Sequence, residues 1–382
     1  MLSDRDRFTC FATCAPGVEA ILHAEARALK LARIERQVGG VRFEGTVTDL
    51  WRANLCLRTA VRVLLRLARF EAADADALYR GVSRTDWSAW VRPEGTLVVA
   101  AQTNESRLDH SEFVEQRTKD AIVDALRGRT GVRPSVDKES PDLRVHLHLF
   151  RDRATLSLDA SGESLHKRGW RVHQGRSPLA ETLAAALVLA SDWDRRAPLL
   201  DPFCGSGTIA IEAALLATGS PSGSRRRFGF ERWIGHDAEG FAAFRSSLEA
   251  ARIRPGKLSI LGSDLDPGQI EGARANAASA GVDGLVRFLV ADARAFAPRK
   301  GWNAWIVTNP PYGRRLGDPA EPLGLHRAFG ERLREGCGGY RLALLAEKVE
   351  HVRALGLGRC ERRPIVNGGL ACEIVLARLG SG

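Results

Sequence analysis

No uninterrupted apolar run in this chain reaches the ~20 residues that a membrane-crossing helix needs. The opening segment, with Asp4, Arg5, Asp6 and Arg7, lacks the apolar core of a signal peptide. A cytoplasmic protein with no membrane partner is expected. Cysteine is sparse: Cys10, Cys14, Cys56, Cys204, Cys337, Cys360 and Cys372 are odd in number, scattered, and contain no CxxC pair. That excludes a disulfide framework or a zinc site of the usual spacing, and the seven read as reduced thiols. His146 and His148 share one strand face but have no third ligand nearby in the sequence, so they read as a polar outer face, and no metal is expected. The dinucleotide fingerprint GxGxxG is missing too, because Ala210 stands where its third glycine would be.

What is present is a globular composition. The 382 residues are 44% hydrophobic and 27% charged, enough to bury large cores in two or three domains. The net charge of +10 suits a polyanionic partner, and its distribution is uneven. Residues 1–164 carry 25 basic and 24 acidic side chains, whereas residues 165–382 carry 31 and 22. The first half reads as α+β: strands near 7–14, 33–44, 59–70 and 96–103, helices near 16–31, 46–56 and 111–130, then an alternating hairpin at 145–160. At the junction, His166 to Arg176 holds Lys167, Arg168, Trp170 and Arg171 without an acid. It reads equally as a phosphate-tracking strap with Trp170 free to stack on a base, or as a linker with Trp170 packed between domains.

Beyond residue 197 the pattern becomes strand-turn-helix. Leu199-Leu200-Asp201 is an apolar strand ending in an acid, and Gly205 and Gly207 let the following turn approach a ligand closely. A second strand ends at Asp264, with Asp266-Pro267 opening a helix to about Ala280, and a third, Val286 to Val290, ends near Asp292. An acid at the second strand end can accept from both ribose hydroxyls, and one at the third can accept from an adenine amine. The set describes a nucleoside site. A fourth strand, Trp302 to Thr308, delivers Asn309-Pro310-Pro311-Tyr312. Two prolines fix a stiff corner. Hydrogen bonds from an exocyclic base amine to the Asn309 side-chain oxygen and the Pro310 carbonyl would localise the nitrogen lone pair for in-line attack on a methyl sulfonium, with Tyr312 stacking on the base. Arg314 and Arg315 follow at once and suit substrate phosphates. Arg225-Arg226-Arg227 reads as a solvated loop, and Cys204 as a small packing residue.

DPFCGSGT with IEAA, GSDLDP and TNPPYG resemble the motifs of class I S-adenosylmethionine-dependent RNA guanine-N2 methyltransferases. FATCAPGVEAIL, GGVRFEG, RPSVDKESPDLRVHLHL, RDRATLSLDASGESLHKRG and NGGLACEI extend that similarity to the THUMP-containing large-subunit (23S) ribosomal RNA guanine-N2 methyltransferases, over nearly the whole chain. The resemblance implies an N-terminal ferredoxin-like module at 1–56, a THUMP RNA-binding module at 57–164, and at 165–382 an α/β Rossmann-like methyltransferase domain with a mostly parallel seven-stranded sheet. It implies S-adenosyl-L-methionine as cofactor at Asp201, Gly205, Gly207, Asp264 and Asp292, the target base at Asn309 to Tyr312, and RNA as partner. A single transfer activity is expected, since some family members carry a further domain for guanine N7. The nearly neutral first half would have to contact RNA through a local patch or through shape. The motifs alone leave open a tRNA substrate, an adenine-N6 or cytosine-N4 amine, and a non-catalytic RNA-binding assembly factor. Oligomeric state is open, with a monomer compatible.

Overall fold

The structure, a computed structural model, describes residues 6–175, 178–311 and 321–380. Its first half begins β1 (Phe8–Thr13), α1 (Glu19–Ala28), β2 (Ala32–Gln37), β3 (Gly40–Gly45), α2 (Val47–Cys56) and β4 (Arg62–Glu71). It continues α3 (Ala75–Ser83), β5 (Thr96–Asn104), α4 (Ser111–Thr130), β6 (Ser135–Val136), β7 (Leu143–Phe150) and β8 (Arg153–Asp159). Local chemistry sets several helix ends: the Asp49 carboxylate accepts from the Thr46 N–H at 3.0 Å ahead of α2, Asp74 caps α3, and Gly131 closes α4 at φ 76°. These strands form one eight-stranded sheet, in the order β2-β3-β1-β4-β8-β7-β5-β6. Alternation gives it two unlike faces. Val63, Leu65, Val145, Leu147, Leu149, Leu156 and Leu158 are buried in a core shared with Leu22 and Val114 of α1 and α4. Their strand neighbours Arg62, Arg66, His146, His148 and Thr155 line a cavity on the other side.

The second half runs α5 (Glu181–Ala190), β9 (Leu199–Asp201), α6 (Thr208–Ala217), α7 (Ala238–Ala250), β10 (Ile260–Asp264), α8 (Pro267–Ala280) and β11 (Val286–Val290). Then come β12 (Trp305–Thr308), α9 (Glu321–Gly336), β13 (Arg341–Ala346), α10 (Val349–Ala354), β14 (Glu361–Asn367) and β15 (Leu370–Arg378). Its seven-stranded sheet has the order β11-β10-β9-β12-β13-β15-β14, parallel from β11 to β13 and antiparallel where β15 joins β13 and β14. This is the Rossmann-like methyltransferase arrangement. Strand order reverses at β9, between β10 and β12, which opens a crevice at the carboxyl ends of these strands.

The halves meet through a seam of aromatic rings. Phe230 and Phe241 pack edge to face at 4.9 Å beside Trp51 of α2, and the Gly223 N–H donates to the Leu55 carbonyl at 2.9 Å. Glu212 of α6 is buried between two arginines, with Arg168 Nε at 3.2 Å and Arg58 Nη1 at 3.6 Å. At the far end of the chain, the Val366 N–H donates to the Pro16 carbonyl at 3.0 Å. Among the described residues, no helix is long and apolar enough to cross a membrane.

Two residues of the junction differ from the strap reading. Arg168 and Trp170 are each only 2% exposed. Arg168 is committed to Glu212, to the Leu165 carbonyl at 2.8 Å and to the Arg58 carbonyl, so neither it nor Trp170 is placed to touch RNA. Burial of the indole in the core and of the guanidinium against Glu212 supports the linker reading for these two residues. Lys167 is exposed and 2.7 Å from Glu163.

Candidate active site

Four strand ends converge on the crevice because neighbouring strands share register: Gly262 lies opposite Asp201, and Asp264 opposite Val290. Cross-links tie the ends together. The Thr308 hydroxyl donates to Asp201 Oδ1 at 2.6 Å, the Gly205 N–H to Asp264 Oδ2 at 3.0 Å, and the Cys204 N–H to the Ser263 carbonyl at 2.9 Å. A cavity of about 870 Å³ opens between them, walled by Gly205, Asp264, Asp292, Asn309 and Pro311.

The glycine turn has the backbone it needs. Gly205 has φ 50°, and a Cβ there would meet nothing nearer than Gln269 Oε1 at 3.9 Å, so the missing side chain leaves cavity. Gly207 has φ 86° and faces inward instead, where a Cβ would come within 2.9 Å of the Phe288 ring and 3.1 Å of Ala273. That contact lets α6 start close against β11 and α8.

The three acids occupy different environments. Asp264 is half-buried; one oxygen holds the Gly205 N–H and the other the Asp266 N–H at 3.0 Å. Asp292 caps the short turn after β11 and is paired with Arg294 at 2.7 Å, and that partner holds its carboxyl below the usual range. Asp201 is 1% exposed and lies beneath the turn, outside the cavity wall. Burial pushes its carboxyl up to about 7, against the Thr308 hydroxyl and the Phe203 N–H, which pull it down, and Asp264 adds repulsion. Its Oδ2 has no hydrogen-bond partner. Asp201 therefore supports the turn and is not placed to touch a ligand directly. Burial also raises the Cys204 thiol well above its ordinary value, so it is no nucleophile.

Asn309 directly follows β12 at the cavity wall, half-buried, and its side-chain oxygen is buried with no hydrogen-bond partner among the described residues. Such an acceptor costs about 1–3 kcal/mol unless something fills it. The apolar strand and the two prolines hold it there: Pro310 is buried and Pro311 lines the wall. Tyr312, Arg314 and Arg315 lie outside the described residues, as does Arg176.

Arg171 contributes in a way its charge did not suggest. Half-buried, it donates through Nε to Glu181 at 2.8 Å, through Nη1 to the Ser206 hydroxyl at 3.1 Å, and through Nη2 to the Thr208 hydroxyl at 3.0 Å and the Leu179 carbonyl at 3.3 Å. It braces the glycine turn through these four hydrogen bonds to protein partners. Asn276 of α8 does the same from below. Its side chain accepts the Val172 and His173 N–H groups at 2.9 Å each and donates to the His173 and Ser206 carbonyls at 3.0 Å. Sequence reading passed over Asn276; the available signal was an asparagine within an alanine-rich helix, a residue that seldom stays buried without several partners.

Comparison with known proteins places this geometry. The profile "RMKL-like, methyltransferase domain" matches residues 168–375, "THUMP domain" 72–159 and "RlmL ferredoxin-like domain" 9–64. A relative from Ectopseudomonas mendocina, named ribosomal RNA large subunit methyltransferase K/L, is 41% identical over 98% of this chain and 53% of its own length. The chain thus spans about half the length of the curated relatives it matches. Among solved structures, SMU.472, a methyltransferase by description and complexed with SAH, aligns with TM-score 0.89 and 30% identity over 98% of this chain and 99% of its own. A predicted N6-adenine-specific DNA methylase from Listeria monocytogenes aligns with TM-score 0.88 and 30% identity over 99% of this chain and 97% of its own.

Proposed function

This chain belongs to the RMKL-like methyltransferase family, with THUMP and RlmL-type ferredoxin-like domains before the catalytic one, and from that premise we propose that it methylates an exocyclic base amine of large-subunit ribosomal RNA, forming N2-methylguanosine. The observation that carries the reading is the Asn309 side-chain oxygen, buried without a partner among the described residues on the wall of a cavity it shares with Gly205 and Asp264. The cradle suits S-adenosyl-L-methionine: a glycine turn with space where a Cβ would stand, and carboxylates at successive strand ends. Asp264 would hold the ribose, Asp292 the adenine, and the Gly205–Gly207 turn the amino-acid end, with Asp201 acting beneath the turn. Bound there, the cofactor supplies a methyl group on a positively charged sulfur.

The chain's own residues do the rest. Asn309 Oδ1 and the Pro310 carbonyl accept the two N–H groups of the base amine, which draws the nitrogen lone pair out of the ring and aims it. The stiff Pro310-Pro311 corner keeps those acceptors in place, and Tyr312 is proposed to stack on the base. No strong base is required before transfer, because the nitrogen becomes acidic once it carries a fourth bond. The module division 1–56, 57–164 and 165–382 is part of the same proposal. Guanine N2 and ribosomal RNA are supported by the sequence resemblance and by the names of the relatives, whereas amine chemistry is supported by the corner itself.

Asn309→Ala is expected to keep cofactor affinity within about twofold by calorimetry and to lose transfer by a factor of ~10²–10³, the cost typical of removing one positioned polar group from a reacting centre. Unchanged turnover would remove the corner from the chemistry. Nucleoside mass spectrometry of the methylated RNA reads the base: N6-methyladenosine or N4-methylcytidine in place of N2-methylguanosine would replace guanine in the proposal.

A further inference from the structure

The basic excess of the second half does not lie at the cofactor cavity, whose wall carries Asp264, Asp266 and Asp292 against Arg294. Cations gather instead at the other end of the same sheet. A hollow of about 590 Å³ opens at the amino ends of β9 and β10, lined by Asp194, Arg195 and Arg196 ahead of β9 and by Arg254 and Lys257 ahead of β10. The four basic side chains are exposed. None has an ion-pair partner among the described residues. The one carboxylate on the wall serves its own loop: Asp194 Oδ1 accepts the Arg196 N–H at 2.9 Å and the Ala197 N–H at 2.8 Å. Helices α6 and α7 end nearby, at Ala217 and Ala250, and each carbonyl end adds about half a negative charge. Four full cations outweigh one carboxylate and two partial charges.

The same end of the sheet carries a second pair. Arg341 opens β13 directly opposite Arg378 of β15, and both are exposed. Like charges in cross-strand register repel, and neither has an ion-pair partner among the described residues. The arrangement is costly until an anion neutralises it. No aromatic ring lines the hollow, so a base has nothing there on which to stack. Cations without rings suit the phosphates of a helical backbone better than an unpaired strand. The five residues of β10 hold the hollow and the cofactor cavity about 16 Å apart, at opposite ends of the strand, so neighbouring nucleotides cannot occupy both.

Resting on the reading of the substrate as RNA, we propose that this end of the methyltransferase domain binds the phosphate backbone of an RNA helix at Arg195, Arg196, Arg254 and Lys257. That helix is a different part of the substrate from the segment that presents the target base, because the two sites open in opposite directions. The substrate is then a folded RNA that reaches round the domain, and a short strand holding the target base alone lacks the second anchor.

The test is binding of the full chain to a labelled transcript of 23S ribosomal RNA across a salt series, for wild type and Arg254→Ala/Lys257→Ala. Loss of two duplex phosphate contacts lowers the salt slope by about 1.8 and weakens binding about 60-fold at 0.1 M relative to a 1 M reference. Cofactor affinity, and kcat with saturating transcript, should be unchanged, since neither residue lines the cofactor cavity. Wild-type slope and affinity in a variant that still binds S-adenosylmethionine would overturn the second anchor and leave the methyl-transfer reading standing. A wild-type chain that binds no transcript would overturn both. Photo-crosslinking of wild type to the transcript is independent of how the variant folds: adducts in 194–196 and 253–258 are expected, and their absence there would also overturn the proposal.

Discussion

Asp201 and Asn309 follow opposite polar logics at the residue scale. One is a carboxyl sealed under the glycine turn; the other is an amide oxygen facing the cavity and waiting for a donor. With its folded value raised to about 7 from an ordinary 3.8, Asp201 keeps its proton over a range in which the unfolded chain has lost it. Its contribution to stability is therefore complete below about pH 4 and is lost as pH rises through 7. Asp201→Asn keeps an acceptor for Thr308 and removes the ionisation. The variant should lose less stability than wild type between about pH 5 and pH 8, measured as urea midpoints at each pH; parallel curves would show that Asp201 does not titrate there. Strand-end acids were legible in the sequence because an apolar run ending in Asp is a local pattern. That Asp201 lies below the turn and Asp264 beside it depends on the register of β9 against β10, which no local pattern carries.

Among elements, α6 and the segment before α5 set the shape of the cofactor cradle. Arg171 spreads its donors over Ser206, Thr208, Glu181 and the Leu179 carbonyl, fixing the turn from outside while Asn276 fixes it from within. Arg171→Ala should weaken S-adenosylmethionine binding by about tenfold, roughly the 1.4 kcal/mol of one charge-assisted hydrogen bond. Arg171→Lys should recover little, because an ammonium carries its three N–H groups on one atom and cannot span the four partners of the planar guanidinium. Isothermal titration distinguishes these outcomes, and equal affinity in all three proteins would leave Arg171 with no part in the turn. The basic run at 166–176 was visible in the sequence, but its direction was not. Arg168 and Trp170 turn inward and Lys167 outward, a difference set by what each meets across the seam. Elements with sharp borders, such as α4 ending at Gly131 and α8 opening at Pro267, were legible; α3, only 9 residues long with a single capping Asp74, was passed over.

On the scale of the whole molecule, the seam joins the N-terminal half to the methyltransferase half through a buried charge. Glu212→Gln would leave Arg58 and Arg168 buried without a counter-ion, a loss of about 3–5 kcal/mol. Urea unfolding followed by near-ultraviolet circular dichroism should show that drop; a loss under about 1 kcal/mol would mean that the seam relaxes and admits water. Net charge by halves concealed how the charges are arranged, since acids and bases balance in sequence while strand alternation and one bulge bring Arg66 and Arg69 of β4 to one face of the sheet.

The hydrogen bond from Val366 to Pro16, beside a Gly17 whose α-carbon has no space for a side chain against Pro364, joins β14 to the loop before α1. Synthesis is vectorial, so the loop at Pro16 leaves the ribosome long before β14 exists. It waits uncovered until the β14–β15 hairpin emerges, and a segment made early is sealed late.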